Sequence, residues 1–309
     1  MKVYKPKFWN KKNSIMGFFL LPISFIFQIL IALQRKFTKK KHATIPVICV
    51  GNIYLGGTGK TPLSLRVANI LKKLNKKVAI IKKLYEEHDD EFKLIESSQV
   101  DLFKNSSRYK AISEAANNNY DCVVLDDGFQ DFSIACDLNI LCFNEKQLIG
   151  NGMTLPSGPL REPLSSLKRC HIVVINGDKN FEFEKKIKKI SNGIDVFYSK
   201  YLPVNTNDFK NKNLLAFAGI GNPDNFFSLL EENKLNIKKK ISFPDHYNYT
   251  LKELNELIGF SLKNNLKLVT TEKDFYRIKH YNLKQIEFLN IKLEILNEDR
   301  LLKKIIKYL

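Results

Sequence analysis

The sequence has few acidic residues for its size. In 309 residues, 32 Asp and Glu stand against 50 Lys and Arg, which gives a formal net charge of +18. Such an excess favours anionic partners, namely nucleic acid, an acidic membrane surface or phosphorylated substrates. The lysines are dispersed through predicted surface helices rather than interleaved with aromatic residues on one element, and this argues against a nucleic-acid-binding module.

Cysteine and histidine are also scarce, with five of each. No two cysteines form a Cys-x-x-Cys pair, and the histidines lack the spacing of metal ligands. The sequence therefore supports neither a zinc site nor a disulfide framework, and it is typical of a protein with free thiols in the reducing cytosol. A hydrophobic content of 44% over this length indicates an ordered globular protein, most naturally of two domains.

Charged residues are absent from 15–33, a run of nineteen residues flanked by lysines and arginines on both sides. This length just suffices to cross a hydrocarbon core of about 30 Å. However, Gly17, Pro22, Ser24 and Gln28 interrupt the run, and its flanks show no asymmetry of positive charge. We predict a helix embedded in, or lying on, the inner face of a membrane. The alternative is an apolar helix packed on the following domain.

A glycine-rich segment follows the apolar run 45–50 and closes on Gly-Lys-Thr. Glycines let backbone N–H groups approach phosphate oxygens, and the helix that follows points its positive end at them. The usual spacing has a glycine where this chain has Tyr54, so the segment is an atypical P-loop. Lys60 is predicted to reach the β- and γ-phosphates, and the Thr61 hydroxyl to bind Mg²⁺. The predicted ATP-binding residues of this loop are Gly56, Gly57, Thr58, Gly59, Lys60 and Thr61.

Two adjacent aspartates, Asp126 and Asp127, end the apolar run 121–125 and precede Gly128. A P-loop enzyme places its metal-facing aspartate at the carboxyl end of such a strand. Adjacent side chains alternate across a strand, so one carboxylate is expected to face Mg²⁺ while the other orients a nucleophile or a loop. We assign Asp126 to the metal and Asp127 to catalysis. A plain Asp-Gly turn is the alternative.

A loop rich in glycine and proline spans residues 150–163. It is too long for a simple turn, and its composition indicates a rigid, shaped loop. Arg161 and Glu162 at its end are candidates for a phosphate clamp and a metal ligand. A surface loop with a local ion pair is the alternative.

Short apolar runs alternate with helix-like segments through most of the chain, which predicts an α/β fold of the P-loop NTPase type. Its sheet is expected to be doubly wound and mostly parallel, with ligands at the carboxyl ends of the strands. Near residue 200 a polar stretch precedes a second strand–loop–helix pattern. We predict a membrane-associated helix over 1–40, a P-loop domain over 41–200 and a smaller α/β domain over 201–309.

Six segments carry a more specific signal: Gly-Gly-Thr-Gly-Lys-Thr-Pro (56–62), Asp-Asp-Gly-Phe-Gln (126–130), Leu-Pro-Ser-Gly-Pro-Leu-Arg-Glu-Pro (155–163), Ala-Gly-Ile-Gly-Asn-Pro (218–223), Phe-Pro-Asp-His-Tyr (243–247) and Thr-Glu-Lys-Asp (271–274). With these segments in this order, the chain resembles the tetraacyldisaccharide 4′-kinases, the lipid A 4′-kinases of Gram-negative bacteria. The resemblance implies transfer of the ATP γ-phosphate, with Mg²⁺, to the 4′-hydroxyl of a tetraacylated glucosamine disaccharide 1-phosphate. The product would be lipid IV-A, made at the cytoplasmic face of the inner membrane.

The resemblance also implies catalytic residues outside the P-loop. In the family an aspartate of a Gly-Asp-Glu-Pro motif works with the histidine of the Asp-His segment, which is His246 here. This chain has a shortened segment in place of the motif, where Asp90 matches the catalytic aspartate, with Asp89 as the fallback. Glu91 matches its metal-binding neighbour. Family members usually carry Ser-Arg-Gly-Tyr just before this region, where residues 82–85 read Lys-Lys-Leu-Tyr.

A membrane-associated P-loop ATPase of the partitioning or targeting type is the alternative function, a nucleotide switch rather than a kinase. Such switches carry a second lysine early in the loop, where this chain has Tyr54 and Leu55. The expected catalytic residues of the kinase are Lys60, Asp90, Asp127 and His246. Its expected partners are ATP, the lipid substrate and the membrane surface, with no nucleic acid and no obligate protein partner inferred.

Overall fold

The computed structural model describes residues 6–84 and 89–309, with the backbone alone at 89 and 90. Strands and helices alternate along most of this length. The strands are β1 (Val47–Gly51), β2 (Val78–Lys83), β3 (Asp101–Asn105), β4 (Cys122–Asp126), β5 (Leu138–Asn144), β6 (Ile172–Asn176), β7 (Asp195–Pro203), β8 (Asn213–Ala218), β9 (Asn236–Ser242), β10 (Lys267–Thr271), β11 (Ile286–Leu289) and β12 (Ile291–Ile295). The helices are α1 (Ile15–Phe19), α2 (Leu21–Phe37), α3 (Lys60–Lys72), α4 (Asp89–Glu96), α5 (Arg108–Asn117), α6 (Phe181–Ile190), α7 (Pro223–Glu232), α8 (Leu251–Lys263), α9 (Glu272–Ile278) and α10 (Glu298–Ile305).

The larger sheet has eight strands in the order β12-β7-β6-β5-β1-β4-β2-β3. The pairings from β7 to β3 are all parallel. Every residue of β1, β4 and β6 is buried, as expected for apolar strands covered on both faces. The chain builds outward on both sides of β1, so a crevice forms at the carboxyl ends of β1 and β4, where ligands of such sheets bind. The predicted α/β fold with a mostly parallel sheet is confirmed.

The smaller sheet has four strands in the order β11-β10-β8-β9, again all parallel. Alternate residues of β8 feed two separate apolar clusters. Leu214 and Ala216 belong to one cluster with helix α7, while Leu215 and Phe217 belong to the other with helix α8. This period of two is the pattern of a strand buried on both faces.

The described residues form two compact units. The large unit comprises 6–84, 99–200 and 294–309, and the small unit comprises 89–98 and 201–293. The small unit therefore takes in α4, which the chain forms between β2 and β3 of the large sheet. The three segments predicted from the sequence stay a prediction.

Helix α2 turns the polar side chains of Ser24 and Gln28 toward the protein and leaves many of its apolar side chains exposed. Ser24 is 1% exposed; its Oγ accepts from the N–H of Ser157 and lies 3.0 Å from the Thr154 carbonyl oxygen. Gln28 donates to Thr154 Oγ1 at 2.8 Å. The opposite face leaves large apolar side chains exposed, among them Phe25 (64%), Ile26 (58%) and Leu30 (59%). In the parts of the chain that the structure describes, no helix has both the length and the apolar character needed to span a bilayer.

Loop 150–163 receives these contacts and also touches the P-loop. The Trp9 indole N–H donates to the Pro156 carbonyl at 3.0 Å, and a Cβ at Gly17 would lie 3.3 Å from the Ser157 carbonyl oxygen. On its other side the Pro159 carbonyl accepts from the backbone of the P-loop at 2.8 Å. One loop thus links the N-terminal helices to the nucleotide crevice.

Candidate active site

The loop between β1 and α3 bends through two glycines. Gly56 and Gly59 have φ angles of +101° and +94°, in the left-handed region that other residues rarely adopt. Gly59 directly precedes α3, and no side chain from the described residues caps that end of the helix. Its first-turn N–H groups are therefore available to anionic oxygens, as in helix N-termini that bind phosphate.

Tyr54 replaces the usual glycine without strain. It is 2% exposed and forms an antiparallel bridge with Leu160 of loop 150–163. The Asn52 amide donates to the Tyr54 carbonyl and to Thr58 Oγ1, both at 2.7 Å. Bridged backbone is extended, so this position does not need the conformational freedom of glycine.

Asp126 is fully buried at the end of β4, and three side chains donate to its carboxylate. Thr61 Oγ1 donates to Oδ2 and Ser64 Oγ donates to Oδ1, each at 2.9 Å. Lys82 Nζ, from β2, donates to Oδ2 as well. Thr61 and Ser64 lie three residues apart and so share one face of α3. A carboxylate beside the P-loop threonine hydroxyl is a suitable oxygen donor set for Mg²⁺.

Asp127 has a left-handed backbone, with φ at +57°. This conformation costs a non-glycine residue free energy, and it is concentrated at functional sites. Its carboxylate lies 3.8 Å from Lys60 Nζ and accepts from Arg161 at 3.0 and 3.1 Å. Burial alone would raise the pKa of this carboxyl, but the charges of Lys60, Arg161 and Lys82 outweigh burial and lower the pKa to about 2. Asp127 is therefore ionised at neutral pH.

Arg161 and Glu162 end loop 150–163 beside these aspartates. The Arg161 guanidinium binds the carboxylate just described and lies 3.3 Å from Gln130 Oε1. Glu162 is 2% exposed and accepts from Arg169 at 2.5 Å and from Gln130 at 3.2 Å. Both side chains are engaged by protein groups, and their predicted roles as phosphate clamp and metal ligand stay predictions.

These groups fit ATP and Mg²⁺. Lys60 and Arg161 bring positive charge for a phosphate chain, while Thr61 and Asp126 bring hard oxygen ligands. Mg²⁺ is commonly held by one or two carboxylates together with substrate phosphates. Among the side chains that the structure describes, those of residues 6–84 and 91–309, no cluster of three or more His, Cys, Asp or Glu is placed to hold a metal. The arrangement can position a triphosphate and neutralise its charge, which is what phosphoryl transfer requires.

His246 belongs to the small unit, between β9 and α8. Its φ of +54° is again left-handed, and its N–H donates to the Gly219 carbonyl at 3.1 Å. Its Nε2 lies 3.3 Å from Lys273 Nζ. Three aromatic residues close to it in the sequence, Phe243, Tyr247 and Tyr249, pack against one another. Their ring centroids are 4.8 Å (Phe243–Tyr247), 5.0 Å (Phe243–Tyr249) and 5.1 Å (Tyr247–Tyr249) apart. The surrounding structure thus fixes this strained residue in one backbone conformation.

Asp274 stabilises the same turn by hydrogen bonds. It is fully buried and accepts from the Gly219 N–H at 2.9 Å, from Thr271 Oγ1 at 2.7 Å and from Arg277 at 2.7 Å. Burial raises the pKa of Asp274, although Arg277 and these donors oppose the rise. Arg277 also donates to the Gly219 carbonyl at 2.9 Å, the oxygen that accepts from His246. The Asp274–Arg277 pair therefore holds the turn that carries His246.

Glu91 lies in α4 of the same small unit and accepts from Lys273 Nζ at 2.7 Å. Lys273 thus joins Glu91 and His246 in one polar cluster. Asp90 is the second residue of the same helix, which begins at Asp89, but the side chains of both residues lie outside the described part of the chain. The catalytic role of Asp90 and the metal-binding role of Glu91 stay predictions.

Three residues of the large-unit site were not predicted from the sequence. Ser64 follows Thr61 by three residues, a helical spacing that would have indicated a shared face. Lys82 stands at the carboxyl end of β2, where α/β sheets bind ligands. Arg108 donates to the Asp127 carbonyl at 2.8 Å from the start of α5, and no sequence pattern indicates this contact.

Comparisons with known proteins identify the family of the chain. The chain matches the model of the LpxK family, tetraacyldisaccharide-1-P 4′-kinase, over residues 16–104 and 89–309. It is 42% identical over 311 residues to the tetraacyldisaccharide 4′-kinase of Pelagibacter ubique, covering 99% of this chain and 98% of that protein. It is 33% identical over 325 residues to the corresponding protein of Rickettsia bellii, with 99% of each covered.

A solved structure supports the same grouping. LpxK from Aquifex aeolicus, crystallised in complex with ATP, is 26% identical and superimposes with a TM-score of 0.73. The superposition covers 95% of this chain and 99% of that one. The chain therefore belongs to the tetraacyldisaccharide 4′-kinase family.

Proposed function

We propose that this chain transfers the γ-phosphate of ATP to the 4′-hydroxyl of a tetraacylated glucosamine disaccharide 1-phosphate and so forms lipid IV-A for lipid A synthesis. The observation that carries the proposal is the cluster of Lys60, Thr61, Asp126 and Asp127 around a P-loop, in a chain that aligns with the family over its whole length. The nucleotide-switch alternative is not favoured by that alignment.

The proposed roles follow from the chemistry of each group. Lys60 and the N–H groups of the first turn of α3 bind the phosphates, with Arg161 as the further clamp. Mg²⁺, when bound, neutralises charge that develops on the phosphoryl oxygens. Asp126 and the Thr61 hydroxyl are the proposed core of its site, and Asp127 keeps Lys60 in place. The further proposed metal ligands are Glu91 and Glu162.

The proposed proton acceptor for the 4′-hydroxyl is Asp90, assisted by His246. A carboxylate and an imidazole are both suited to remove a hydroxyl proton as it attacks. The turn around His246 is held by the Asp274–Arg277 pair, so the imidazole starts from a fixed backbone position. This fixed position supports its role, because general-base catalysis depends first on geometry.

We further propose that α1 and α2 rest on the cytoplasmic face of the inner membrane. The support is the reversed amphipathic character of α2, which docks by Ser24 and Gln28 and leaves Phe25, Ile26 and Leu30 exposed. A contiguous exposed apolar face marks an interaction surface. Lysines and arginines on both sides of the run suit anionic headgroups.

Replacing Ile26 and Leu30 together with serine should weaken binding to vesicles of phosphatidylethanolamine and phosphatidylglycerol by about tenfold or more, since full burial of one aliphatic side chain contributes about 1.5–3 kcal/mol. Co-sedimentation with the vesicles measures the effect. Leu262→Ser is the matched control, because Leu262 is 70% exposed on α8 of the small unit. A wild-type protein that stays in the supernatant, or a double variant that binds normally, would contradict the membrane proposal.

The kinase reaction itself is tested by incubating the full chain with ATP, Mg²⁺ and the tetraacyl disaccharide 1-phosphate, followed by mass analysis of the lipid. We expect a gain of one phosphate on the lipid, dependent on both ATP and Mg²⁺. ATP hydrolysis without any phosphorylated lipid would instead support the nucleotide switch.

A further inference from the structure

Lys82 is a buried lysine in the candidate nucleotide site. It is 5% exposed, and its ammonium donates to Asp126, which is fully buried. Removing an ammonium from water is costly unless it is paired, so such lysines are rare in protein interiors. The next residue along β2, Lys83, is only partly buried. The burial of this ammonium beside Asp126 therefore suggests a role in the site rather than in the strand alone.

The ammonium shares one carboxylate oxygen with the P-loop threonine. Lys82 Nζ and Thr61 Oγ1 both donate to Asp126 Oδ2, while Ser64 holds the other oxygen. Two donors to the same oxygen lie within two hydrogen-bond lengths of each other. A lysine charge thus stands beside the hydroxyl that we propose for Mg²⁺, and it is a second ammonium of the site after Lys60.

The charge of Lys82 reduces the repulsion between Asp126 and the phosphates of ATP. ATP carries several negative charges, and two carboxylates, Asp126 and Asp127, face the site that it would enter. Asp127 is balanced by Lys60 and Arg161. Among the described residues, the cationic side chain in contact with Asp126 is that of Lys82. Without that charge, Asp126 would repel a phosphate chain unless a metal ion intervened.

We propose that Lys82 is a built-in counter-ion of the nucleotide site, which neutralises and orients Asp126 so that the site binds ATP with little dependence on free Mg²⁺. This inference rests on the proposed function, since it concerns the same ATP site. Lys82 acts through Asp126 and is therefore a positioning residue. Through this charge the protein itself supplies a part of the ATP affinity that would otherwise depend on Mg²⁺.

The test measures ATP binding by calorimetry in Mg²⁺ and in EDTA, for the wild type and for Lys82→Gln, which keeps an N–H donor for Asp126 but removes the charge. In the wild type we expect the two Kd values to agree within about tenfold. In Lys82→Gln we expect the Kd in EDTA to rise by about tenfold or more relative to that in Mg²⁺, because a unit charge changes the affinity for a phosphate by about tenfold even from about 10 Å away at an effective dielectric constant of about 20. Lys82→Arg should restore the wild-type ratio.

Lys104→Met serves as the matched control, because Lys104 pairs with Lys82 in the register of β2 and β3 but is exposed. A purely structural role for Lys82 would weaken binding equally in Mg²⁺ and EDTA, and that result would overturn the inference. If Lys82→Gln does not fold, the wild type decides alone: a Kd in EDTA far weaker than in Mg²⁺ would also overturn it. The binding measurements use no lipid, so a failure of this inference is distinct from a failure of lipid phosphorylation.

Discussion

Lys60→Met is expected to lower the rate of lipid phosphorylation by about 10²- to 10³-fold, the loss found when one preorganised donor to transition-state charge is removed. Methionine keeps an unbranched side chain of similar length, so the first turn of α3 is retained while the ammonium is lost. In this variant Asp127 is still paired with Arg161 but no longer with Lys60, whose charge lowers the pKa of Asp127 most. The pKa of Asp127 should therefore rise. Initial rates with labelled ATP measure the first effect, and calorimetry measures the accompanying loss of ATP affinity.

Lys76→Met is the matched control for this variant. Lys76 is exposed between α3 and β2, so the substitution removes one positive charge from the surface without touching the P-loop. Its activity should equal that of the wild type. If Lys60→Met also retained most of the wild-type rate, Lys60 would have no role at the phosphates.

His246→Asn is expected to lower kcat by about 10²-fold, the usual contribution of a positioned acid–base group. Asparagine is chosen because it tolerates the left-handed backbone that His246 adopts, so the turn should survive the loss of the imidazole. The melting temperature should therefore stay close to that of the wild type while turnover falls. Steady-state kinetics with saturating lipid and ATP, together with thermal melting, measure the two quantities.

His280→Asn removes an exposed imidazole from the same small unit and should leave turnover unchanged. A His246→Asn protein that melts normally and turns over normally would show that the imidazole has no part in the reaction. A protein that loses both activity and stability would show that the side chain mainly supports the turn.

The P-loop and its aspartates were predictable because their signals are local. Glycines before a Gly-Lys-Thr and two carboxylates after an apolar strand specify backbone and donor chemistry within a few residues. The strands were predictable for a similar reason, since short apolar runs in an alternating βαβ order favour a parallel sheet. Tyr54 shows the limit of such rules: the motif requires glycine there, whereas the bridge to Leu160 makes the position extended.

Contacts that join distant parts of the sequence were not predictable in the same way. Arg108 reaches the Asp127 carbonyl across 19 residues, and Lys82 reaches Asp126 across 44. Their positions depend on the strand order β4-β2-β3, which hydrophobic periodicity does not specify. For α2, the apolar run indicated a helix, but only the contacts of Ser24 and Gln28 reveal which side faces the protein.

Loop 150–163 has a practical consequence for work with this protein. Its inner side pairs with the P-loop through Leu160, and its outer side is covered by Trp9, Gly17 and Ser24. Cutting away the first forty residues to gain solubility would expose Ser157, now fully buried, to water and leave the loop supported from one side. The N-terminal segment is therefore part of the scaffold around the P-loop, and we expect its removal to weaken nucleotide binding as well.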